Sequence, residues 1–345
     1  MQILDWEQLD QAGRTAALER PRQDARADIE ALARSIIREV RADGDAALRR
    51  FAARFDRAEL TDLRVSPAEF QHAATQLTTE QTAALAQAID NVRRFHVAQM
   101  PGVVSLEVMP GVVCERIVRP IPAVGLYVPA GSAPLPSTVI MLAIPAAIVG
   151  CPRRVLCTPP GPDGRANAAV LVAAQLCGID TVYKAGGAQA IAAMAYGTQS
   201  IPKVDKIFGP GTALTTAAKQ LVAADADGAA LDLPAGPSEV LVIADDSARA
   251  DFVAADLLAQ AEHDTRAQAL LITPSARLAA ATAQALAVQA AVLSRGAILA
   301  ESTRNCRCIV VKDLRSAVDV SNAYAPEHLI IQTLEPRALL DDIVN

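Results

Sequence analysis

Val124-Gly125-Leu126-Tyr127-Val128-Pro129-Ala130-Gly131-Ser132 is a β-rich run that stops on proline and glycine. Apolar residues of strand length bounded by such breakers read as a strand, and glycine lets the backbone turn sharply at its end. The same texture returns down the chain at Val155 to Thr158, Thr181 to Lys184, Lys206 to Phe208, Val240 to Ala244, Ala269 to Thr273 and Cys308 to Val311. Helical stretches fall between them, near residues 138–149, 167–177, 188–196, 212–224, 249–263 and 275–293. Strands alternating with helices build parallel βαβ units with right-handed crossovers. The stretch Leu231-Asp232-Leu233-Pro234-Ala235-Gly236-Pro237 separates two such series, so two α/β units are expected.

Upstream, residues 1 to about 100 read as helical. Ile29, Leu32, Ile36, Ile37 and Val40 repeat at helical spacing, Asp43-Gly44-Asp45 interrupts them, and Leu48, Phe51 and Phe55 resume the pattern. Ser66-Pro67-Ala68-Glu69 offers an N-cap, a proline at the first helical position and a capping-box glutamate. The helix it opens is expected to run towards Met100-Pro101. His72 and His96 have no polar companions at ligand spacing and read as ordinary helix-surface histidines.

The chain's 345 residues are too many for one small core, and 52% hydrophobic residues are enough to fill large ones. Aromatics make up only 3%, which points to helices packed on sheets through small side chains. Intermingled charges with a net of −6 exclude the basic footprint of a nucleic-acid binder. Met1-Gln2-Ile3-Leu4-Asp5-Trp6-Glu7 lacks the cationic start of a signal peptide. The apolar run from Val139 to Val149 contains Pro145 and falls short of the ~20 residues a membrane span needs. A soluble cytoplasmic protein with no membrane partner is expected. Cys114, Cys151, Cys157, Cys177, Cys306 and Cys308 include no Cys-x-x-Cys pair, so reduced and mostly buried thiols are expected.

Four glycine-rich turns follow strand-like runs: Pro129-Ala130-Gly131-Ser132, Ala185-Gly186-Gly187-Ala188, Phe208-Gly209-Pro210-Gly211-Thr212 and Pro234-Ala235-Gly236-Pro237-Ser238. Such turns let backbone approach a ligand, the next helix N-terminus attracts phosphate, and carboxyl ends of parallel strands are where α/β proteins bind ligands. None is a G-x-G-x-x-G or a Walker loop, so each alone is equally a plain tight turn. Gln260 and His263 stand at i and i+3, hence on one helix face. They read either as half of a zinc shell or as a solvated polar stripe. Glu327 and His328 follow Pro326 at the entry to the apolar Leu329-Ile330-Ile331. Adjacent strand residues face opposite ways, so both can meet one substrate only in an irregular segment.

Together these segments closely resemble the histidinol dehydrogenases, zinc- and NAD-dependent enzymes of histidine biosynthesis. The matching words run from about Pro120 to Gln332. They include Val124-Gly125-Leu126-Tyr127-Val128-Pro129, Gly186-Gly187-Ala188-Gln189-Ala190-Ile191-Ala192, Val204-Asp205-Lys206-Ile207-Phe208-Gly209-Pro210-Gly211, Asp232-Leu233-Pro234-Ala235-Gly236-Pro237-Ser238-Glu239-Val240, Gln260-Ala261-Glu262-His263 and Pro326-Glu327-His328-Leu329.

The resemblance implies an α/β fold of two incomplete Rossmann-like parallel-sheet domains with a helical N-terminal segment. Residues 1–118 would be that segment, packing on the second α/β domain, with 119–236 the first Rossmann-like domain and 237–345 the second. It implies Gln260 and His263 as zinc ligands that also meet the substrate, Ser238 as a substrate contact, and Glu327 and His328 as acid/base residues in contact with substrate. Tyr127, Gln189 and Thr212 would line the NAD site. Thr212 stands where the family usually has asparagine, whose amide both donates and accepts through a longer side chain. The implied reaction is two successive NAD-linked oxidations of L-histidinol through L-histidinal to L-histidine, in a cytoplasmic homodimer. Rival expectations are a related zinc/NAD dehydrogenase acting on another small polyol or amino alcohol, and a catalytically incomplete ligand-binding form. The last arises because the family pattern continues past the equivalent of Asn345 with an aspartate and a histidine for the zinc and a substrate-binding glutamate. A chain ending at Asn345 is accordingly expected to bind zinc weakly and turn over slowly.

Overall fold

The computed structural model describes residues 1–21, 26–130, 134–233 and 239–345. Its strands in chain order are β1 (Gln2–Asp5), β2 (Val104–Met109), β3 (Val112–Arg116), β4 (Ala123–Tyr127), β5 (Arg153–Thr158), β6 (Val182–Lys184), β7 (Lys206–Phe208), β8 (Ala230–Leu231), β9 (Glu239–Ala244), β10 (Gln268–Thr273), β11 (Arg307–Val310) and β12 (Leu329–Gln332). They divide between two compact units: residues 25–235, and a second unit made of residues 1–24 together with 236–345.

In the unit of residues 25–235 the sheet order is β6-β5-β4-β7-β8, parallel throughout. The chain steps outward from β4 to β5 and β6, then returns to the other side of β4, so the winding reverses between β4 and β7. Successive strand side chains face opposite ways. Ala123, Tyr127, Val155 and Cys157 meet the helices Gly187–Tyr196 and Ala213–Ala223 on one face. Val124, Leu126, Leu156 and Val182 meet Pro136–Ile148 and Ala168–Leu176 on the other. Helices on both faces explain why these strands read as unbroken apolar runs.

The helices between residues 26 and 98 join this same unit, whereas residues 1–118 were expected to pack on the second; only residues 1–24 of that segment do. Ile36, Val40, Leu48 and Phe51, from the helices Arg26–Asp43 and Asp45–Phe51, share a core with Gly187–Tyr196. Ala73 and Ile89, from Pro67–Ala74 and Thr79–Ala98, pack on the opposite face. An amphipathic stripe shows that a helix face is buried without naming the sheet that buries it. The single helix expected towards Met100 is two. The Thr78 hydroxyl accepts from the Gln81 amide at 3.2 Å and the Gln81 side chain accepts from the Thr78 amide at 3.0 Å, a capping box that opens the second helix. Beyond it β2 and β3 form an antiparallel hairpin, exposed along both strands, that no alternation announced.

The second unit has the order β1-β11-β10-β9-β12, again parallel throughout. Val240, Val242, Leu271 and Cys308 pack on the helices Ala250–Ala261 and Ala276–Ala290. Leu241, Ile243, Leu270, Ile272 and Ile309 pack on Leu314–Tyr324 and on Ala17 of the helix Gln11–Leu18. Each sheet is a partial version of the six-stranded doubly wound pattern. β1 lies in a segment read as helical; four residues are too few to show a period. Five cysteines are buried and Cys114 is exposed, each as a free thiol. Burial pushes the Cys177 and Cys306 thiols up to about 11, so neither is a thiolate nucleophile at neutral pH. Among the described residues no helix is long and apolar enough to cross a membrane.

Candidate active site

The predicted residues fall in two sets: Tyr127, Gln189 and Thr212 in the unit of residues 25–235, and Gln260, His263, Glu327 and His328 in the other. Ser238 lies outside the described residues, as do Gly131, Ser132 and the whole turn Pro234-Ala235-Gly236-Pro237-Ser238.

Tyr127 ends β4, and its hydroxyl accepts the Gly187 amide proton at 2.9 Å. That bond ties the end of β4 to the turn after β6, where Gly187 adopts φ +56° and Gln189 is buried in the first turn of the following helix. The turn after β7 closes on the same place. Gly209 has φ +131°, and a Cβ there would overlap the Tyr127 carbonyl oxygen and lie 3.0 Å from its carbon, so only glycine fits. The Gly209 amide donates to Asp232 at 2.9 Å, and the Lys219 ammonium donates to the Gly209 carbonyl at 2.9 Å while pairing with Asp232. Thr212 then caps the helix Ala213–Ala223, its hydroxyl accepting from the Thr215 amide at 3.5 Å. Two turns thus converge on the end of β4 at the carboxyl rim, beside the reversal between β4 and β7, each leading into a helix N-terminus. Backbone amides at such a rim suit the pyrophosphate of a dinucleotide.

Asp56 ends a one-turn π-helical segment, Ala52–Asp56, in the same unit, and its charge acts on the Tyr127 hydroxyl. Its Oδ2 is buried and meets no hydrogen-bond donor among the described residues. Burial pushes its carboxyl up to about 6. A folded-state value above the unfolded one means the native state binds more protons in that interval, so this group's contribution to stability falls as pH rises through about 6. Asp56→Asn is therefore expected to raise the melting temperature at pH 8, with the gain fading as pH drops to 4; equal gains at both pH values would refute the assignment.

Glu327 and His328, expected as an acid/base pair, sit at the amino rim of the second sheet, opposite to the carboxyl-rim rule used for the turns. The helix Leu314–Tyr324 ends at Ala325, whose φ of 53° is left-handed, and Pro326 blocks its continuation. Glu327 and His328 follow in a bend before β12, an irregular segment in which their side chains approach to 4.0 Å. His328 Nδ1 lies 3.0 Å from the backbone carbonyl oxygen of Glu239. A carbonyl only accepts, so Nδ1 carries the hydrogen and the neutral ring keeps a bare Nε2.

Glu239 opens β9 and binds far more than this ring. Arg20 grips its carboxylate with Nε and Nη2, each at 2.7 Å, the Tyr324 hydroxyl lies at 2.9 Å, and the Glu327 amide donates to it at 3.2 Å. Burial works against its charged form, but the Arg20 fork, the Tyr324 hydroxyl and the Glu327 amide outweigh it and hold the carboxyl below its ordinary value. Arg20, Tyr324 and Lys219 were not anticipated. Asp232 and Glu239 stand inside quoted segments but carry no local signal of a role.

Gln260 occupies the last turn of Ala250–Ala261 and His263 follows just beyond, its amide donating to the Gln260 carbonyl at 3.2 Å. Helix direction in a βαβ unit brings this end back towards the amino rim, shortly before β10. An amide oxygen and an imidazole nitrogen suit zinc as two of the four donors it takes. Among the described residues no group of three His, Cys, Asp or Glu side chains comes together around a metal position.

Two doubly wound parallel sheets, with glycine turns at one rim and a poised imidazole at another, define an α/β protein of the dinucleotide-binding class. The family model for histidinol dehydrogenase matches residues 18–345. The histidinol dehydrogenase of Yersinia pestis is 50% identical over 343 residues, covering 99% of this chain and 76% of the relative. That of Xanthomonas euvesicatoria pv. vesicatoria is 53% identical over 343 residues, covering 99% and 79%. The crystal structure of histidinol dehydrogenase from Elizabethkingia anophelis matches with a TM-score of 0.94 and 41% identity, over 100% of this chain and 78% of that one. The chain belongs to the histidinol dehydrogenase family, and NAD-linked oxidoreductase chemistry with zinc goes with that membership.

Proposed function

We propose that this chain oxidises L-histidinol to L-histidine in two successive NAD-linked steps through L-histidinal. The observation that carries the reading is the His328 ring, whose Nδ1 faces the Glu239 carbonyl at 3.0 Å and lies 4.0 Å from the Glu327 carboxylate, so that Nε2 is left bare. Nε2 takes the substrate hydroxyl proton in the first oxidation. Glu327, exposed enough to meet solvent, takes a proton from the water that hydrates the aldehyde. Tyr127, Gln189 and Thr212 hold the dinucleotide at the carboxyl rim, and Ser238 contacts the substrate. Gln260 and His263 would hold zinc from this unit and place the substrate against them. NAD, when bound, accepts the hydride, and zinc, when bound, orients the amino alcohol. The same reading makes the protein a cytoplasmic homodimer, with its oligomeric state open to sedimentation.

NADH formation tests the proposal, with two NADH expected for each L-histidinol consumed. A panel of other amino alcohols and polyols runs alongside. Turnover of one of those with none of L-histidinol would overturn the substrate assignment.

A further inference from the structure

We propose that Glu239, gripped by Arg20 and Tyr324, is the positioning residue that sets the Glu327–His328 bend for proton transfer; this rests on the acid/base reading of that bend. Glu239 uses two different acceptors on two consecutive residues. Its carboxylate takes the Glu327 amide proton at 3.2 Å, and its own backbone carbonyl takes the His328 Nδ1 proton at 3.0 Å. One residue therefore fixes both the path of the bend and the tautomer of the ring. Because it also opens β9, whose neighbour β12 begins directly after His328, the carboxylate is tied to the sheet that carries the bend.

Arg20 secures the arrangement from the other side. Its fork fills both carboxylate oxygens, and Nη2 also reaches the carbonyls of Tyr324 and Ala325 at 2.9 and 3.0 Å. Those carbonyls sit at the helix end, where no intrahelical donor remains. The guanidinium lies over the Tyr324 ring at 4.3 Å, and that ring's hydroxyl stands 2.9 Å from Glu239 and 2.9 Å from Gln268. With a single proton to give, the hydroxyl favours the charged acceptor. A merely structural ion pair would need the two oxygens of the fork alone. Here the same carboxylate also holds the amide of a proposed catalytic residue, and the same cation holds the helix end that delivers it.

Arg20→Met and Glu239→Gln are the discriminating variants, with Tyr324→Phe as the milder one that keeps the fork. Loss of alignment at a proton-transfer site costs on the order of 10²-fold in kcat. That loss is expected for the first two, about tenfold for Tyr324→Phe, with KM for NAD little changed and the acidic limb of the kcat–pH profile displaced. Imidazole 15N shifts of His328 supply a readout that needs no turnover: one Nδ1–H tautomer in the wild type, a mixture in Arg20→Met and Glu239→Gln. If the wild type makes no NADH from L-histidinol but the tautomer responds as stated, the substrate reading fails and the positioning role stands. Wild-type kcat and an unchanged His328 tautomer in all folded variants would overturn it. So would losses of kcat that only follow loss of folded protein. Should Glu239→Gln not fold, Tyr324→Phe decides by the same two readouts.

Discussion

Replacing His328 by glutamine is expected to lower kcat for NADH formation from L-histidinol by about 10²–10⁴-fold, the usual contribution of a positioned general base. The choice of glutamine follows from the geometry. Its amide can still donate to the Glu239 carbonyl that now receives Nδ1–H, so the bend keeps its anchor. What disappears is the bare ring nitrogen, because an amide has no basic lone pair at neutral pH. KM for NAD should stay within a few-fold, since the residues proposed for the cofactor belong to the unit of residues 25–235. Steady-state kinetics across pH checks both parts. A variant that retains wild-type kcat at its pH optimum would remove His328 from the reaction.

The second large effect is expected at Gly209. Alanine there must adopt φ near +131°, which costs about 1–3 kcal/mol by itself. Its Cβ would also overlap the Tyr127 carbonyl, and that oxygen is backbone, so it cannot swing aside as a side chain would. Overpacking of this kind adds about 1–3 kcal/mol. Gly209→Ala should therefore lose about 3 kcal/mol or more in urea unfolding. Relief of the clash must move either the end of β4 or the turn held by Asp232 and Lys219, so NAD binding measured by calorimetry should weaken with it. A folded variant with stability within about 1 kcal/mol of wild type would show that the turn relaxes freely.

What the sequence disclosed follows the physics of each element. Strands buried on both faces leave short apolar runs, most of them closed by glycine or proline, and β4, β5, β6, β7, β9, β10 and β11 are legible for that reason. Ser66 with Pro67 and Glu69 marks a helix start and Gly44 a break, whereas the Thr78–Gln81 capping box lies inside a polar stretch that does not set it off. The helices Arg26–Asp43 and Thr79–Ala98 were legible as helices, but their sheet was not, since a stripe has no address. Gln260, His263, Glu327 and His328 announced chemistry through residue type, and Tyr127, Gln189 and Thr212 came only through the family resemblance. The contact between Arg20 and Glu239 spans 219 positions, and no local pattern encodes a pair so far apart.

The placement of β1 has a consequence for how the chain is made. Gln2 pairs with Arg307, and Arg307 also donates to the carbonyls of Ala16 and Ala17. β1 thus leaves the ribosome well before the strand it pairs with, because the whole unit of residues 25–235 lies between the two halves of the other in sequence. At roughly 5–20 residues per second, the three hundred residues separating β1 from β11 take about 15–60 s to synthesise. During that interval the inserted unit has its full sequence and can fold as a continuous piece, while Met1 to Leu18 waits as an unpaired strand and helix. Until β11 is made, the backbone donors and acceptors of β1 have no sheet partner, an unpaired edge that must stay clear of other chains.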